Sequence, residues 1–520
     1  MLTRVDRRTV IAGGAALVLP APAVLAKVGA GADPFTLGVA SGSPTPTGVV
    51  LWTRLAPQPL APDGLGGLAG AVAVDWEMAA DEGFRRVVRR GRVRAVPAFG
   101  HAVHVEVEGL RPGRPYWYRF IALGHRSAAG RTRTAPAPGA LVERLRIAVA
   151  SCSDWELGWF SAYRHMAEEA PDLTFFLGDY IYEFSYPSDR AANLVRRHEQ
   201  KEDAVSLAGY RRRYALYRTD PDLQALHAAA PCLATWDDHE VQNDYANRWS
   251  EDLDVSEASF LQRRAAAYRA FYEHMPLRRS ALPRGPDAQI YGHWSYGDLA
   301  DILVLDGRQY RTPQPCPTAK TRRGHVATCP DLTDPSRTML GRTQEDWLYH
   351  RFRKGQGRWT LVAQDLLVAS LEQAAPDGSL GHYTDGWDGY QANRDRMLGA
   401  LAASGAKNPV FFAGDIHSYW ATDLKADFGD PRSQTVASEF VGTGITQDPP
   451  PAKAFAEVQA HNPHVRYFDR TTNGYIVADV TATRMETRFR AISDRRDPAA
   501  TVTTLAKFGV EDGRPGVQTA

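Results

Sequence analysis

A cysteine, a tyrosine, two histidines and a set of aspartates stand directly behind short apolar runs in this 520-residue chain, and the chemistry these side chains share is metal ligation. Ser151-Cys152 follows Ile147 to Ala150, and Gly178-Asp179 follows Phe175 to Leu177, with Tyr182 three residues on. Asp237-Asp238-His239-Glu240 follows Cys232 to Trp236, with Asn243 and Asp244 one turn later, and Gly414-Asp415-Ile416-His417 follows Val410 to Ala413. Open α/β sheets gather ligands outside strand ends, because the strand fixes the backbone and the loop behind it frees the side chain. Carboxylates suit hard ions and one of them can bridge two; a phenolate favours a ferric centre, and zinc seldom needs it. Asp415 and His417, alternate residues leaving a strand, project to the same side and can grip neighbouring ions. Taken singly, each cluster has a plainer reading: Asp179 capping a helix over a packed Tyr182, a solvated charged loop at 237–240, a chance Asp-x-His. Packing does not explain all four at strand ends together.

The elements that must position these groups are legible in the hydrophobic pattern. From Leu145 onward the same apolar runs, with Ile302 to Leu305 and Thr360 to Ala363, alternate with amphipathic stretches at Leu207–Tyr217, Glu257–His274, Thr343–Lys354 and Gln391–Ala403. Strands alternating with helices predict a layered α/β architecture over 144–496. Ahead of it, residues 33–136 carry short alternating segments such as Val74-Trp76-Met78, Val103-Val105-Val107 and Tyr116-Tyr118-Phe120 between Gly/Pro turns. That pattern predicts a smaller all-β, fibronectin- or immunoglobulin-like domain, with Leu110-Arg111-Pro112-Gly113 and Tyr116 as its tyrosine corner. Thr134 to Gly139 reads as the linker, and 497–520 as a tail that either caps the site or has no fixed structure.

Sixty-one basic and sixty acidic residues leave a net charge of +1, and the mean hydropathy is −0.37. This is a globular balance without the basic field that nucleic-acid binding requires. Arg7-Arg8, the apolar stretch Val10 to Leu19 and the small residues ending at Val24-Leu25-Ala26 read as a twin-arginine export signal over 1–26. With no other run approaching the roughly 20 apolar residues that span a bilayer, the mature chain is expected in the periplasm or secreted, without a transmembrane segment. Export through the twin-arginine machinery suits a protein that folds around its cofactor beforehand. It also permits a disulfide between Cys316 and Cys329, which bracket a polar loop, whereas Cys232 reads as a buried apolar residue and Cys152 is left for chemistry.

The chain resembles the PhoD family of alkaline phosphatases and phosphodiesterases, related to purple acid phosphatases and other calcineurin-like metallophosphoesterases. The resemblance runs through FTLGVASGSPTPTGVVLWTRL, SCSDW, FFLGDYIYE, YRRRYALYRTDPDLQ, TWDDHEVQNDY, LDGRQYR, FFAGDIHSYW and HNPHVRYF. It implies a metallophosphoesterase β-sandwich flanked by helices behind the smaller all-β domain. It also implies a ferric iron (Fe3+) on Cys152, Asp179, Tyr182 and His417, with Asp179 bridging to one or more calcium ions (Ca2+) held by Asp238, Asn243 and Asp415. His239 would face the phosphoryl group or orient a ligand. Two positions depart from the family pattern: Ser43, where Asp is common, and Gln364, where related enzymes supply a histidine.

The activity so implied is hydrolysis of phosphate mono- or diesters by hydroxide that the ions activate for in-line attack. Arg211 and Arg308 are candidates for a phosphate clamp, since guanidinium matches two phosphate oxygens; either one reads equally as an ordinary salt bridge. Two other readings compete: a phospholipase D-like or teichoic-acid phosphodiesterase of the same family, and a non-enzymatic polymer-binding protein with structural calcium. The second leaves Cys152, Tyr182 and His417 unexplained, because calcium takes oxygen ligands.

Overall fold

Along Leu145–Ala150 the side chains of Ile147 and Val149 enter one apolar core while Ala148 and Ala150 enter another, so this strand is buried on both faces. Such strands belong inside a parallel sheet covered on both sides. In the computed structural model, which describes residues 31–187, 193–319, 321–375, 378–430 and 432–519, that sheet has ten strands. Leu145–Ala150, Leu173–Leu177, Cys232–Thr235 and Val39–Gly42 run parallel in this order at its centre. A second sheet of seven strands has its own parallel centre, Ala300–Val304, Trp359–Ala363, Pro409–Ala413 and Thr435–Val441.

The two sheets share a core in which Val149, Phe175 and Leu177 meet Ile302, Leu361 and Phe412, with the Phe175 and Phe412 rings 6.1 Å apart. Removing one such ring costs about 3–5 kcal/mol, through lost burial and the cavity left behind. Helices close the outer faces. Ser161–Glu168, Leu207–Arg218 and Glu257–His274 cover the larger sheet through Tyr163, Tyr214 and Phe271. Arg342–Lys354 and Gln391–Ser404 cover the smaller one through Leu348, Phe352 and Leu398. Local chemistry sets the helix starts: Ser206 and Ser256 accept from the backbone N–H of Gly209 and Ser259. The expected β-sandwich flanked by helices is what forms.

The all-β region ahead of it is also present, with its tyrosine corner closed by Arg111 N–H donating to the Tyr116 hydroxyl at 3.0 Å. Its layout carries one surprise. Val72–Ala79, Val87–Ala95 and Pro115–Ala122 form a separate small sheet with two short strands, whereas Val39–Gly42, Val49–Arg54 and Ala102–Val107 extend the ten-stranded sheet. Gly42 pairs with Cys232, and a Cβ at Gly42 would stand 2.8 Å from the Cys232 carbonyl oxygen. Cys232 itself is buried, as expected. At the opposite edge Val502–Glu511 and Arg514–Thr519 form a hairpin, so the tail has a fixed structure and adds strands rather than a cap. The proposed export signal lies outside the described residues.

Candidate metal centre

Two glycines let the strand ends close on one point. A Cβ on Gly178 (φ 88°) would lie 2.7 Å from the Asp237 nitrogen, and one on Gly414 would lie 2.6 Å from the Ser151 Cβ. The next residues then turn sharply. Cys152, Asp179, Asp415 and His417 all hold left-handed φ values of 60°, 50°, 66° and 52°, which are uncommon outside glycine and cost of order 1–3 kcal/mol each. Glu240 helps to hold these turns: its buried carboxylate accepts from the N–H groups of Asp179 (3.0 Å), Tyr180 (2.6 Å) and Asp237 (2.8 Å). Ser153 N–H donates to the Asp179 carbonyl at 2.9 Å and ties the Cys152 turn to the same point.

The result is two adjoining donor groups. Ligand atoms of Cys152, Asp179 and His417 lie within 4.8 Å of one another, and the Tyr182 hydroxyl donates to Asp179 Oδ2 at 2.7 Å while standing 3.3 Å from His417 Nε2. Asp237, Asp238 and Asp415 form an all-carboxylate group, and Asp179 also groups with Asp238 and His239, which places it between the two. Asn243 lines the same cavity; its Nδ2 donates to Glu251 at 2.6 Å, which leaves Oδ1 as the free donor atom. The sequence-predicted ligands thus all converge.

Their electrostatics fit a cation. Burial pushes the carboxyls of Asp179 and Asp415 well above the usual range, with Asp237 and Asp238 adding to the repulsion, and burial with Asp179 does the same to the Cys152 thiol and the Tyr182 phenol. Burial holds His417 down at about 4, with His239 contributing, so its imidazole is neutral and competent as a ligand. Asp179 Oδ1 is buried without a hydrogen-bond partner. Acidic and neutral donors in this density, with an orphaned buried carboxylate oxygen, are the environment a multivalent cation stabilises.

His239 stands apart from the neutral donors. Burial alone would lower it, but Asp238, Glu183 and Asp179 together hold it well above the ordinary histidine range, and its Nδ1 pairs with Glu183 at 2.7 Å. Its ring lines the cavity.

Both arginines proposed as phosphate clamps are corrected. Arg308 reaches the site, yet its side chain is 0% exposed and lies among carboxylates: Asp385 at 2.6 Å, Asp415 at 3.0 Å, Asp238 at 3.5 Å and Asp237 closer still. Those four acids outweigh burial and hold its pKa well above the ordinary value, and no face remains for phosphate. Arg211 is not among the cavity-lining residues; Glu273 grips it through Nε at 2.6 Å and Nη2 at 2.8 Å between two helices. Gln364 makes no contribution as a ligand: its amide oxygen accepts from Trp387 Nε1 at 3.1 Å and its nitrogen donates to the Leu366 carbonyl.

Sequence reasoning missed Glu183, which orients His239, and Asp385, which binds Arg308, Arg311 and Gln314. Glu183 directly follows Tyr182 and was within reach of a motif argument; Asp385 follows no apolar run and was not. It also missed Arg323 on the cavity wall, paired with Asp244 and with Glu251 at 2.8 Å. Arg323 belongs to the loop that the Cys316–Cys329 disulfide closes.

Two sheets with helices outside them and a cluster of thiol, phenol, imidazole and carboxylate donors at their strand ends define a layered α/β scaffold built around a candidate two-part metal centre. Residues 147–489 match the PhoD-like phosphatase family and residues 21–136 match the PhoD-like phosphatase N-terminal domain. The chain belongs to the PhoD-like phosphatase family. It is 43% identical over 493 residues to alkaline phosphatase D of Bacillus subtilis (strain 168), covering 93% of this chain and 82% of that protein. A solved structure of PhoD superimposes with a TM-score of 0.86 at 41% identity, covering 94% of this chain and 92% of that one.

Proposed function

We propose that this protein is a metal-dependent hydrolase that releases phosphate from mono- or diesters, with iron held by Cys152, Asp179, Tyr182 and His417 and calcium by Asp238, Asn243 and Asp415, Asp179 shared. The observation that carries the reading is the convergence of one thiol, one phenol and one neutral imidazole around the Asp179 carboxylate. Calcium alone uses none of those three, while a harder neighbour explains the all-oxygen half. When bound, the two ions supply Lewis acidity and charge neutralisation for phosphoryl transfer.

The protein's own groups do the rest. His239, oriented by Glu183 through Nδ1, lines the cavity, where its ring can donate a hydrogen bond to an ester oxygen. Arg308 sits behind the carboxylates, offsets part of their mutual repulsion and fixes Asp237, Asp385 and Asp415 in place. The Arg7-Arg8 signal supports export of the folded chain by the twin-arginine machinery to the periplasm or medium, with 1–26 removed. No helix among the described residues is long and apolar enough to cross a membrane.

Metal analysis with visible absorption is the test. The purified protein is expected to hold iron and calcium and to be coloured by its phenolate–iron pair, and Tyr182→Phe should lose that band. A colourless, iron-free protein that still turns over phosphate esters would overturn the assignment of the iron half.

A further inference from the structure

Six arginines, Arg85, Arg86, Arg89, Arg90, Arg92 and Arg94, stand within ten residues and are all exposed, in a chain whose net charge is only +1. Three of them belong to one face of the small N-terminal sheet. Val74 and Met78 enter the core of that sheet, so Asp75 and Glu77, which alternate with them, point outward. The register then sets Arg94, Arg92 and Arg90 on the outer face opposite Ala73, Asp75 and Glu77. On the other side Arg119 lies opposite Glu77 and Ile121 opposite Asp75, and Arg126 of the short strand His125–Arg126 lies opposite Ile121. Five arginines thus share the face with two acids.

Both acids are taken up within the face: Asp75 pairs with Arg92 and Glu77 with Arg119, each at 2.7 Å. Glu77 is also the cross-strand neighbour of Arg90, which therefore loses its natural partner. Among the described residues Arg90, Arg94 and Arg126 form no ion pair. Half-buried apolar side chains stand between the guanidinium groups: Trp117, Ile121 and Phe84, whose ring lies 4.0 Å under the Arg119 guanidinium. Leu123, 45% exposed, sits in the turn that leads to Arg126. None of these residues lines the cavity in front of the donor groups.

Unpaired guanidinium groups on an open face fit phosphate oxygens, which they match two at a time. Two features favour a surface over a linear soluble polyanion. The cations spread over several strands rather than along one row, and aromatic and aliphatic side chains stand exposed among them, the mixture found at the headgroup level of a bilayer. We propose that this face binds an anionic phospholipid surface, with Arg90, Arg92, Arg94 and Arg126 on headgroup phosphates and Ile121 and Leu123 against the apolar boundary beneath. The binding is independent of the metal centre.

Co-sedimentation with vesicles tests this, using the holoenzyme processed after Ala26 so that the apolar stretch of the proposed signal does not bind lipid itself. Mixed phosphatidylcholine–phosphatidylglycerol vesicles should carry the protein down at low ionic strength, and phosphatidylcholine alone should not. Salt at roughly 1 M, which shortens the screening length to about 3 Å, should release most of it. The variant Arg90→Gln/Arg92→Gln/Arg94→Gln should bind about a hundredfold more weakly, about fivefold for each arginine lost. Its melting temperature and its turnover of a small soluble ester should stay at wild type, since all three side chains are exposed and outside the cavity. A charge-matched variant at exposed positions elsewhere, Arg353→Gln/Lys354→Gln/Lys507→Gln, should bind like wild type. Ile121→Gln should weaken binding severalfold with no change of charge. Equal losses in the two triple variants would reduce the effect to net charge and overturn the face, as would a wild-type protein that ignores anionic vesicles. Tighter binding to soluble inorganic polyphosphate than to the vesicles would overturn lipid as the occupant.

Discussion

Arg308 and Arg211 are both buried, both paired to carboxylates and both attached to motifs that suggested phosphate binding, yet they sit in opposite electrostatic regimes. Around Arg308 the acids are in excess: Asp237, Asp238, Asp385 and Asp415 share one guanidinium and face a cavity. Around Arg211 the cations are in excess: Glu273 also receives Arg269, and Arg54 lies close enough for Arg211 to lower its pKa. Burial takes Arg54 down to about 10, partly offset by Glu273. The first arrangement leaves negative charge to spare for cations, whereas the second is closed on itself. Arginine identity and burial therefore say little about role, and the local charge balance says much.

Replacing each arginine breaks or sharpens that contrast. Arg308→Met should have the largest effect, removing the counter-charge for four buried acids; breaking a buried pair typically costs about 3–5 kcal/mol, and turnover per folded molecule should be lost as well. Urea unfolding with turnover corrected for the folded fraction measures both; full turnover from the folded fraction would reduce Arg308 to the same structural rank as Arg211. Arg211→Met should destabilise less, because Glu273 keeps Arg269 as a partner, and the double variant Arg211→Met/Glu273→Met should be less stable still, because it leaves Arg269 and Arg54 without their carboxylate. Turnover per folded molecule should stay at the wild-type value in both. A double variant as stable as the single one would show that Arg269 and Arg54 do not depend on Glu273.

The smallest expected effect concerns a third buried arginine, Arg394, paired with Asp388 at 2.5 Å. Burial pushes the Asp388 carboxyl up, but Arg394 and His382 outweigh it and hold it at about 2, below the ordinary 3.8. The depressed value means stability that is present above about pH 4 and lost as pH falls to about 2. Asp388→Asn should therefore cost about 2 kcal/mol at pH 7, with the difference from wild type closing near pH 2. A constant difference across that range would assign the loss to packing instead.

How far the sequence reached follows from how local each signal is. The helix at Glu257–His274 was legible end to end, and the strands before Asp179, Asp238 and Asp415 were legible to within one or two residues, because periodicity and capping are properties of neighbouring residues. The convergence of Cys152, Asp179, Asp238, Asp415 and His417 was legible because each stands within a few residues of a strand end. The split of the N-terminal strands between two sheets was not, since Gly42 meets Cys232 only through a pairing nearly two hundred residues apart and no local pattern encodes it. The hairpin at 502–519 escaped for a related reason: its exposed, polar alternation gains meaning only beside Arg484–Ile492.

By itself, then, the chain determined which side chains gather and what kind of ion they suit, because residue type fixes donor hardness and strand ends fix where donors emerge. Tertiary structure alone decided what the long-range neighbours make of them. It turned Arg308 inward among acids and locked Arg211 onto Glu273. It set Glu183 behind His239 and tied the Trp387 indole to Gln364. Those assignments depend on charge balance and packing between segments far apart in sequence, quantities that exist only once the sheets have closed on each other.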